Sequence, residues 1–222
     1  MLNSQFKTQN LKFKILQVGA FLACLIPLGL LGFDAYTDNL GANPIEVITR
    51  TTGTWTLVFL LITLSVTPLR KLAGVQRLIK FRRMLGLFTF FYACLHFTTY
   101  IWLDQFFDLH DIIKDVMKRP FITLGFASFV SLIPLAITSN RRMITRLGKR
   151  WQQLHRAVYL IAIGGVIHFY WQVKADMTQP LIYGAILTLL LAYRLITARG
   201  LRTTGALRTP TRPVVRDNRV RN

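Results

Sequence analysis

The sequence predicts an all-α membrane protein: a six-transmembrane-helix bundle with both termini on the cytoplasmic side. Three observations lead there. Hydrophobic residues make up 52% of the chain and charged residues 17%, with a mean hydropathy of +0.40, values that a soluble domain rarely combines with long uncharged runs. Six apolar windows are long enough to cross a bilayer. The connections between those windows alternate in the sign of their charge. The 222 residues suffice for one substantial domain. Residues 1–14 read as a basic cytoplasmic N-terminus, 15–198 as the transmembrane domain, and 199–222 as a basic, disordered, lipid-facing tail.

The first window, about 15–33, follows Lys7, Lys12 and Lys14 and so resembles a secretory leader. No small-residue cleavage site follows its uncharged run, which therefore reads as a retained helix. The second, about 54–69, is short and ends at Pro68, and its start can reach back to Thr51. The third, about 84–103, closes on Tyr100 and Trp102, and the fifth, about 155–173, on Tyr170 and Trp171. These are interfacial anchors at the outer boundary, with Trp151 marking the inner one. In the fourth window, about 121–139, Gly125, Ala127, Ser128 and Ser131 give a small face for close helix packing. The sixth covers about 181–198. No internal repeat is apparent. Cys24 and Cys94 lie inside apolar runs and read as small buried hydrophobes, and the lack of Cys-x-x-Cys-His excludes covalent haem attachment.

A net charge of +19 could mark a nucleic-acid binder, so its distribution decides its meaning. The N-terminus, the second and fourth connections and the C-terminal end, from Arg194 through Arg221, hold 23 of the 28 basic residues. The other side holds Asp34, Asp38, Glu46, Asp104, Asp108, Asp111, Asp115 and Asp176, eight of the nine acids. Six alternating spans put all the basic segments on one face, which the positive-inside rule assigns to the cytoplasm. Topology and anionic lipid account for the charge, and no nucleic-acid partner is needed.

Three of the four histidines fall at membrane depth, where an ionisable side chain marks a function or a buried partner. His96 lies 13 residues past Arg83, about 20 Å above the inner boundary. His168 lies 13 residues past His155, at nearly the same height on its own helix. Two histidines at one depth on two helices are what bis-imidazole ligation of a haem requires; the bland alternative is interhelical hydrogen bonding. His155 sits near the inner face, with Arg82 at its level on the third helix, and Arg82 shares a face with His96. Arg82 reads as an ordinary positive-inside residue, as the partner of a haem propionate, or as an unusual axial partner opposite His155. The step from His155 to His168 is off-phase by about 140° on an ideal helix, and Gly164 and Gly165 could host a local distortion. His110 sits in the acidic outer connection and reads as solvated.

Arg82-Arg-Met-Leu-Gly-Leu-Phe through His96, then Leu147-Gly-Lys-Arg-Trp-Gln-Gln-Leu-His155-Arg, then Ile167-His168-Phe-Tyr-Trp171, strongly resemble the MsrQ (YedZ) family. Gly41-Ala-Asn-Pro44, Thr-Gly53 and Gln179-Pro-Leu-Ile-Tyr183 fit the same family, so the resemblance runs from about residue 15 to 198. It implies a ferric-reductase-like transmembrane domain in a bacterial inner membrane, the haem-binding membrane subunit of the periplasmic methionine sulfoxide reductase system that repairs oxidised envelope proteins. By the same resemblance the haem-ligand positions are His96, His155 and His168, the cofactor is haem b (one or two), and FMN is an associated cofactor. The implied partner is MsrP, a periplasmic molybdopterin reductase that carries the catalysis. Superfamily members with two haems have two histidines on each of two helices; here Arg82 or Arg83 stands in the fourth position, leaving the haem count open.

No Gly-x-Gly-x-x-Gly follows a strand, so electrons would come from a separate cytoplasmic flavin reductase or from quinol. The expected route enters at the basic inner face near Arg150, Trp151 and His155 and climbs the third and fifth helices to the level of His96 and His168. The competing readings are a transporter with histidine proton relays and a haem-free anchoring subunit. Against the former, no span carries a paired intramembrane acid. A colourless purified protein would favour either of them.

Overall fold

The computed structural model describes residues 2–173 and 176–206, and all regular structure among them is helical. The helices are α1 (Leu2–Tyr36), α2 (Pro44–Leu72), α3 (Arg82–Thr99), α4 (Leu109–Lys118), α5 (Pro120–Ile137), α6 (Arg141–Leu147), α7 (Lys149–His155), α8 (Ala157–Gln172) and α9 (Thr178–Ala206). A short 3-10 turn, Gln76–Lys80, leads into α3, and a π-turn, Tyr100–Asp104, continues it. Expected tail residues Arg208, Arg212, Arg216, Arg219 and Arg221 lie outside the described residues, while the α9 backbone continues eight residues past 198 to Ala206.

Among the described residues five helices are long and apolar enough to cross a membrane: Leu11–Tyr36, Pro44–Leu72, Gln76–Asp104, Pro120–Ile137 and Thr178–Ala198. The fifth expected window is α8, whose 16 residues span about 24 Å. It is shorter than expected because the helix breaks at Arg156, where the bonds Arg156 N–H to Gln153 C=O (3.2 Å) and Tyr159 N–H to Arg156 C=O (3.1 Å) tighten the chain between α7 and α8. Gly164 and Gly165 lie inside unbroken α8, so the distortion between His155 and His168 falls at Arg156 instead. Gly148, at φ +51°, makes the preceding turn between α6 and α7, a backbone region that side chains avoid.

Two helix pairs, α2 with α3 and α5 with α8, form the body of the bundle. Its core of Leu57, Leu60, Leu61, Leu64, Ala93, Leu132, Ile161 and Ala162 joins both pairs. On α5, Gly125 and Ser128 face α8, and a Cβ added at Gly164 would lie 2.6 Å from the Ser128 hydroxyl. Ala127 and Ser131 point outward, so only half of the expected small face serves packing. Of the two cysteines expected to be buried, Cys24 is buried and Cys94 is half-buried, both as free thiols.

Of the prolines inside the spanning helices, Pro27 and Pro68 meet a side chain from a neighbour, which Pro134 of α5 does not show. The α2 helix does not stop at Pro68 but continues to Leu72. Pro68 lacks the N–H that would bond the Leu64 carbonyl. The Arg194 guanidinium of α9 replaces it, donating to that carbonyl at 3.1 Å, and also donates to the Tyr159 hydroxyl. In α1, beside Pro27, the Tyr92 hydroxyl enters the helix ladder, donating to Cys24 C=O (2.9 Å) and accepting from Leu28 N–H (3.2 Å). Tyr92 is 1% exposed, and this bond, with the edge-on contact of Phe21 against Phe88, fixes α1 to the bundle.

Candidate functional site

The two helix pairs enclose a cavity of about 710 Å³ toward the end of the bundle that carries Asp104 and Arg119, within the roughly 300–1,000 Å³ usual for cofactor pockets. His96 on α3 and His168 on α8 reach into it, with ring centroids 6.2 Å apart and planes at 74°. Phe97 stacks on Phe129 at 4.5 Å to form part of an apolar wall. Because the cavity reaches both imidazoles, neither is fully buried despite its depth in the bundle.

Each imidazole is held in the same way. His96 Nδ1 lies 2.9 Å from the Thr49 carbonyl of α2, and His168 Nδ1 lies 2.6 Å from the Phe121 carbonyl of α5. A carbonyl can only accept, so both rings carry their proton on Nδ1 and leave the Nε2 lone pair free. One turn after each carbonyl comes a glycine that makes room for the ring. A Cβ at Gly53 would lie 2.9 Å from His96 Cε1, and one at Gly125 would lie 2.8 Å from His168 Cε1. Helix-interior glycine is unfavourable by about 1 kcal/mol against alanine, and here the close approach of a ring requires it.

The spacing is repeated too. Carbonyl and histidine are 47 residues apart in each pair, with the glycine four residues beyond the carbonyl. The cavity is therefore bounded by two copies of one constellation, Thr49–Gly53–His96 and Phe121–Gly125–His168, although no repeat is apparent in the sequence. The halves share few identical residues, so only the geometry exposes the relation. Of the two arginines at the start of α3, Arg82 is half-buried and Arg83 exposed, although the spacing that relates His96 to His168 relates Arg83, not Arg82, to His155.

His155 ends α7 and does not line the cavity. Its ring stacks on Trp151 at 3.9 Å, its Nδ1 faces the Trp151 carbonyl at 3.1 Å, and its Nε2 faces the Ser139 hydroxyl at 3.4 Å. Trp151 donates its indole N–H to Thr138 C=O at 3.0 Å, which ties α7 to the inner end of α5. Arg82 lies within range of the charge of His155, Arg70 and Arg194, forming a second, inner cluster. His110 is exposed at the start of α4.

The arginines that do line the cavity, Arg50 and Arg119, are ones that sequence reasoning missed. Each is held at the mouth by the carboxylate one turn earlier, Arg50 by Glu46 (3.1 Å) and Arg119 by Asp115 (3.3 Å). A signal was available: both belong to the five basic residues on the otherwise acidic side. The Thr49 hydroxyl, also in the cavity wall, is buried with no hydrogen-bond partner.

The donor set fits an iron porphyrin. A metal–imidazole bond of about 2 Å on each side, with about 1 Å from nitrogen to ring centre, separates the centroids of two axial rings by about 6 Å. His96 and His168 have centroids 6.2 Å apart. An Nδ1–H bound to a backbone carbonyl is the usual support of a metal-ligating histidine. Among the described residues no group of three or more His, Cys, Asp or Glu side chains could hold a bare metal ion.

Comparison with known proteins gives concordant results. Residues 51–166 match the family model described as ferric reductase like transmembrane component. The chain is 59% identical over 181 residues to a protein of Herminiimonas arsenicoxydans named protein-methionine-sulfoxide reductase heme-binding subunit MsrQ, covering 80% of this chain and 83% of that one. Proteins of the same name from Rhodospirillum rubrum and Azospira oryzae are 51% and 48% identical, covering 85% and 86% of this chain and 91% and 83% of theirs. No solved structure matches the chain.

Proposed function

The chain belongs to the MsrQ family of the ferric-reductase-like transmembrane proteins, and from that premise we propose that it carries electrons across a bacterial inner membrane as a b-haem protein. The observation that carries the proposal is the pair of imidazoles 6.2 Å apart, each with its free Nε2 directed by an Nδ1–carbonyl bond.

A porphyrin iron in the cavity supplies one-electron redox chemistry. The chain does the rest. His96 and His168 would hold the iron through their Nε2 atoms. Thr49 C=O and Phe121 C=O fix the tautomer and make the ligands more basic. Gly53 and Gly125 let the rings lie back against α2 and α5, and Phe97 and Phe129 exclude water. Arg50 and Arg119, the cations at the mouth, are suited to pair with the propionates, a role considered above for Arg82, which is absent from this cavity. Nothing in this donor set forms a cradle specific for a flavin phosphate, so FMN is not assigned to the cavity.

Six spans with both termini cytoplasmic place the basic inner face, with Arg150, Trp151 and His155, toward the electron donor, a flavin reductase or quinol. The acidic outer connections then face the acceptor. The names of the relatives support a methionine sulfoxide reductase system, and the acceptor proposed is its periplasmic molybdopterin subunit MsrP. Sulfoxide reduction occurs on that partner.

Replacing His168 by Ala tests the site. The purified variant is expected to lose the low-spin absorption whose Soret band shifts on dithionite addition. A reduced spectrum identical to that of the unmodified protein would overturn the ligand assignment, and a colourless unmodified protein expressed with ample haem would overturn the function.

A further inference from the structure

The outer connection between α3 and α5 holds a feature that the electron route does not use. The α4 helix, Leu109–Lys118, carries three different faces in only ten residues. At 100° per residue, Ile112, Asp115 and Val116 share one side, Leu109, Ile113 and Met117 the next, and His110, Asp111, Lys114 and Lys118 the third.

The first face touches the bundle. Asp115 accepts from Gln105 Nε2 at 3.1 Å and pairs with Arg119, the Val116 carbonyl accepts from the Thr123 hydroxyl, and Val116 lines the cavity. The second face is apolar yet uncovered: Leu109, Ile113 and Met117 are 73%, 59% and 81% exposed. Phe106 and Phe107, just before α4, extend it with exposures of 78% and 62%. Their φ angles of +46° and +62° lie in a region costly for bulky residues, and both rings nevertheless point away from the protein. The third face is polar. A helix packed only against its own protein in water needs two faces; a third, apolar one calls for another apolar medium.

The position of α4 names that medium. It is strung between the end of one span at Asp104 and the start of another at Pro120, with Arg119 alone separating it from α5. So short a tether holds α4 at the level where both spans leave the hydrocarbon. The exposed Trp102 and Trp171 close neighbouring helices as the interfacial aromatics of the same boundary. We propose that α4 is an interfacial helix lying in the outer membrane surface, with Phe106, Phe107, Leu109, Ile113 and Met117 inserted among the lipids and its charged face in water. The bilayer then braces, through Val116 and Arg119, the outer wall of the cavity. The proposal depends on the spans and not on haem.

Nitroxide scanning of residues 106–118, on a chain with Cys24→Ala and Cys94→Ala and one chain per lipid nanodisc, tests it. Labels at 109, 113 and 117 are expected to relax several-fold faster with oxygen than with a water-soluble nickel chelate. Labels at 110, 114 and 118 should show the reverse, and those at 112 and 116 protection from both. Nickel accessibility at 113 equal to that at 114 would place the apolar face in water and overturn the proposal. Protection of 109, 113 and 117 from both reagents would mean that protein covers them and would overturn it equally. Hydroxyl-radical footprinting of the unmodified chain in the same discs keeps the test independent of the substitutions: Met117 should oxidise more slowly than His110, and oxidation as fast as at His110 counts against insertion.

Discussion

At the end of the bundle near α4, α2–α3 and α5–α8 repeat one device, a histidine on one helix, a carbonyl and a glycine on its neighbour, with equal spacing in both copies. At the opposite end the same helices differ. One carries Arg82 on an unbroken helix; the other carries His155 beyond a break, with Trp151 and Ser139 against its ring. The first end presents two imidazoles to one cavity, each with Nδ1 on a carbonyl and Nε2 free. The opposite end keeps one imidazole engaged by the protein, with Arg82 near it and Arg70 and Arg194 near Arg82. The difference teaches that histidines of similar sequence setting are housed differently: at one end a carbonyl and a glycine of the neighbouring helix receive the ring, at the other a tryptophan and a serine do.

That contrast can be broken most forcefully at the glycines. Gly53→Ala and Gly125→Ala each push a methyl group into an imidazole, an overpacking cost of about 1–3 kcal/mol. Haem retention in detergent is expected to weaken about tenfold or more for each, since 1.4 kcal/mol is a factor of ten. Gly86→Ala, where the nearest atom is Thr63 Cγ2 at 3.8 Å, should be silent. Equal retention in all three variants would remove the notches from the account.

A smaller effect is expected at the mouth. Arg50→Ala and Arg119→Ala should each weaken haem retention by about tenfold, the scale of one hydrogen bond to a charged group, while the low-spin spectrum persists. Unchanged retention in the double variant would mean that these arginines serve only Glu46 and Asp115.

Arg82→Ala and His155→Ala sharpen the comparison from the other end, because they are expected to leave the outer low-spin absorption unchanged. Loss of that signal would show that both ends form one unit. The haem-to-polypeptide ratio measured on the same samples reads the count: a ratio near one that survives His155→Ala leaves the outer pair as the only site.

Much of this was legible in the sequence. Hydropathy located five of the six expected spans, with the starts of the second and third set too late, and rise per residue put His96 and His168 at one depth, because both are one-dimensional quantities. The misplaced end of α2 shows the limit of such reasoning. Pro68 forbids one bond within the helix, yet the helix continues because Arg194, more than a hundred residues away, supplies the missing donor. The repeated constellation was equally hidden, since its carbonyls come from the backbone of residues as unlike as Thr49 and Phe121.

By itself the sequence determined an all-helical membrane chain, its basic and acidic faces and the histidines worth testing, since burial in lipid and charge sorting act on each segment alone. Only the tertiary structure decided which ring nitrogen is free, which of Arg82 and Arg83 turns inward, that Gly53 and Gly125 make room for the imidazoles, and that α4 has an uncovered face. Each of those depends on the distance between groups on different helices, which the order of residues along one helix does not contain.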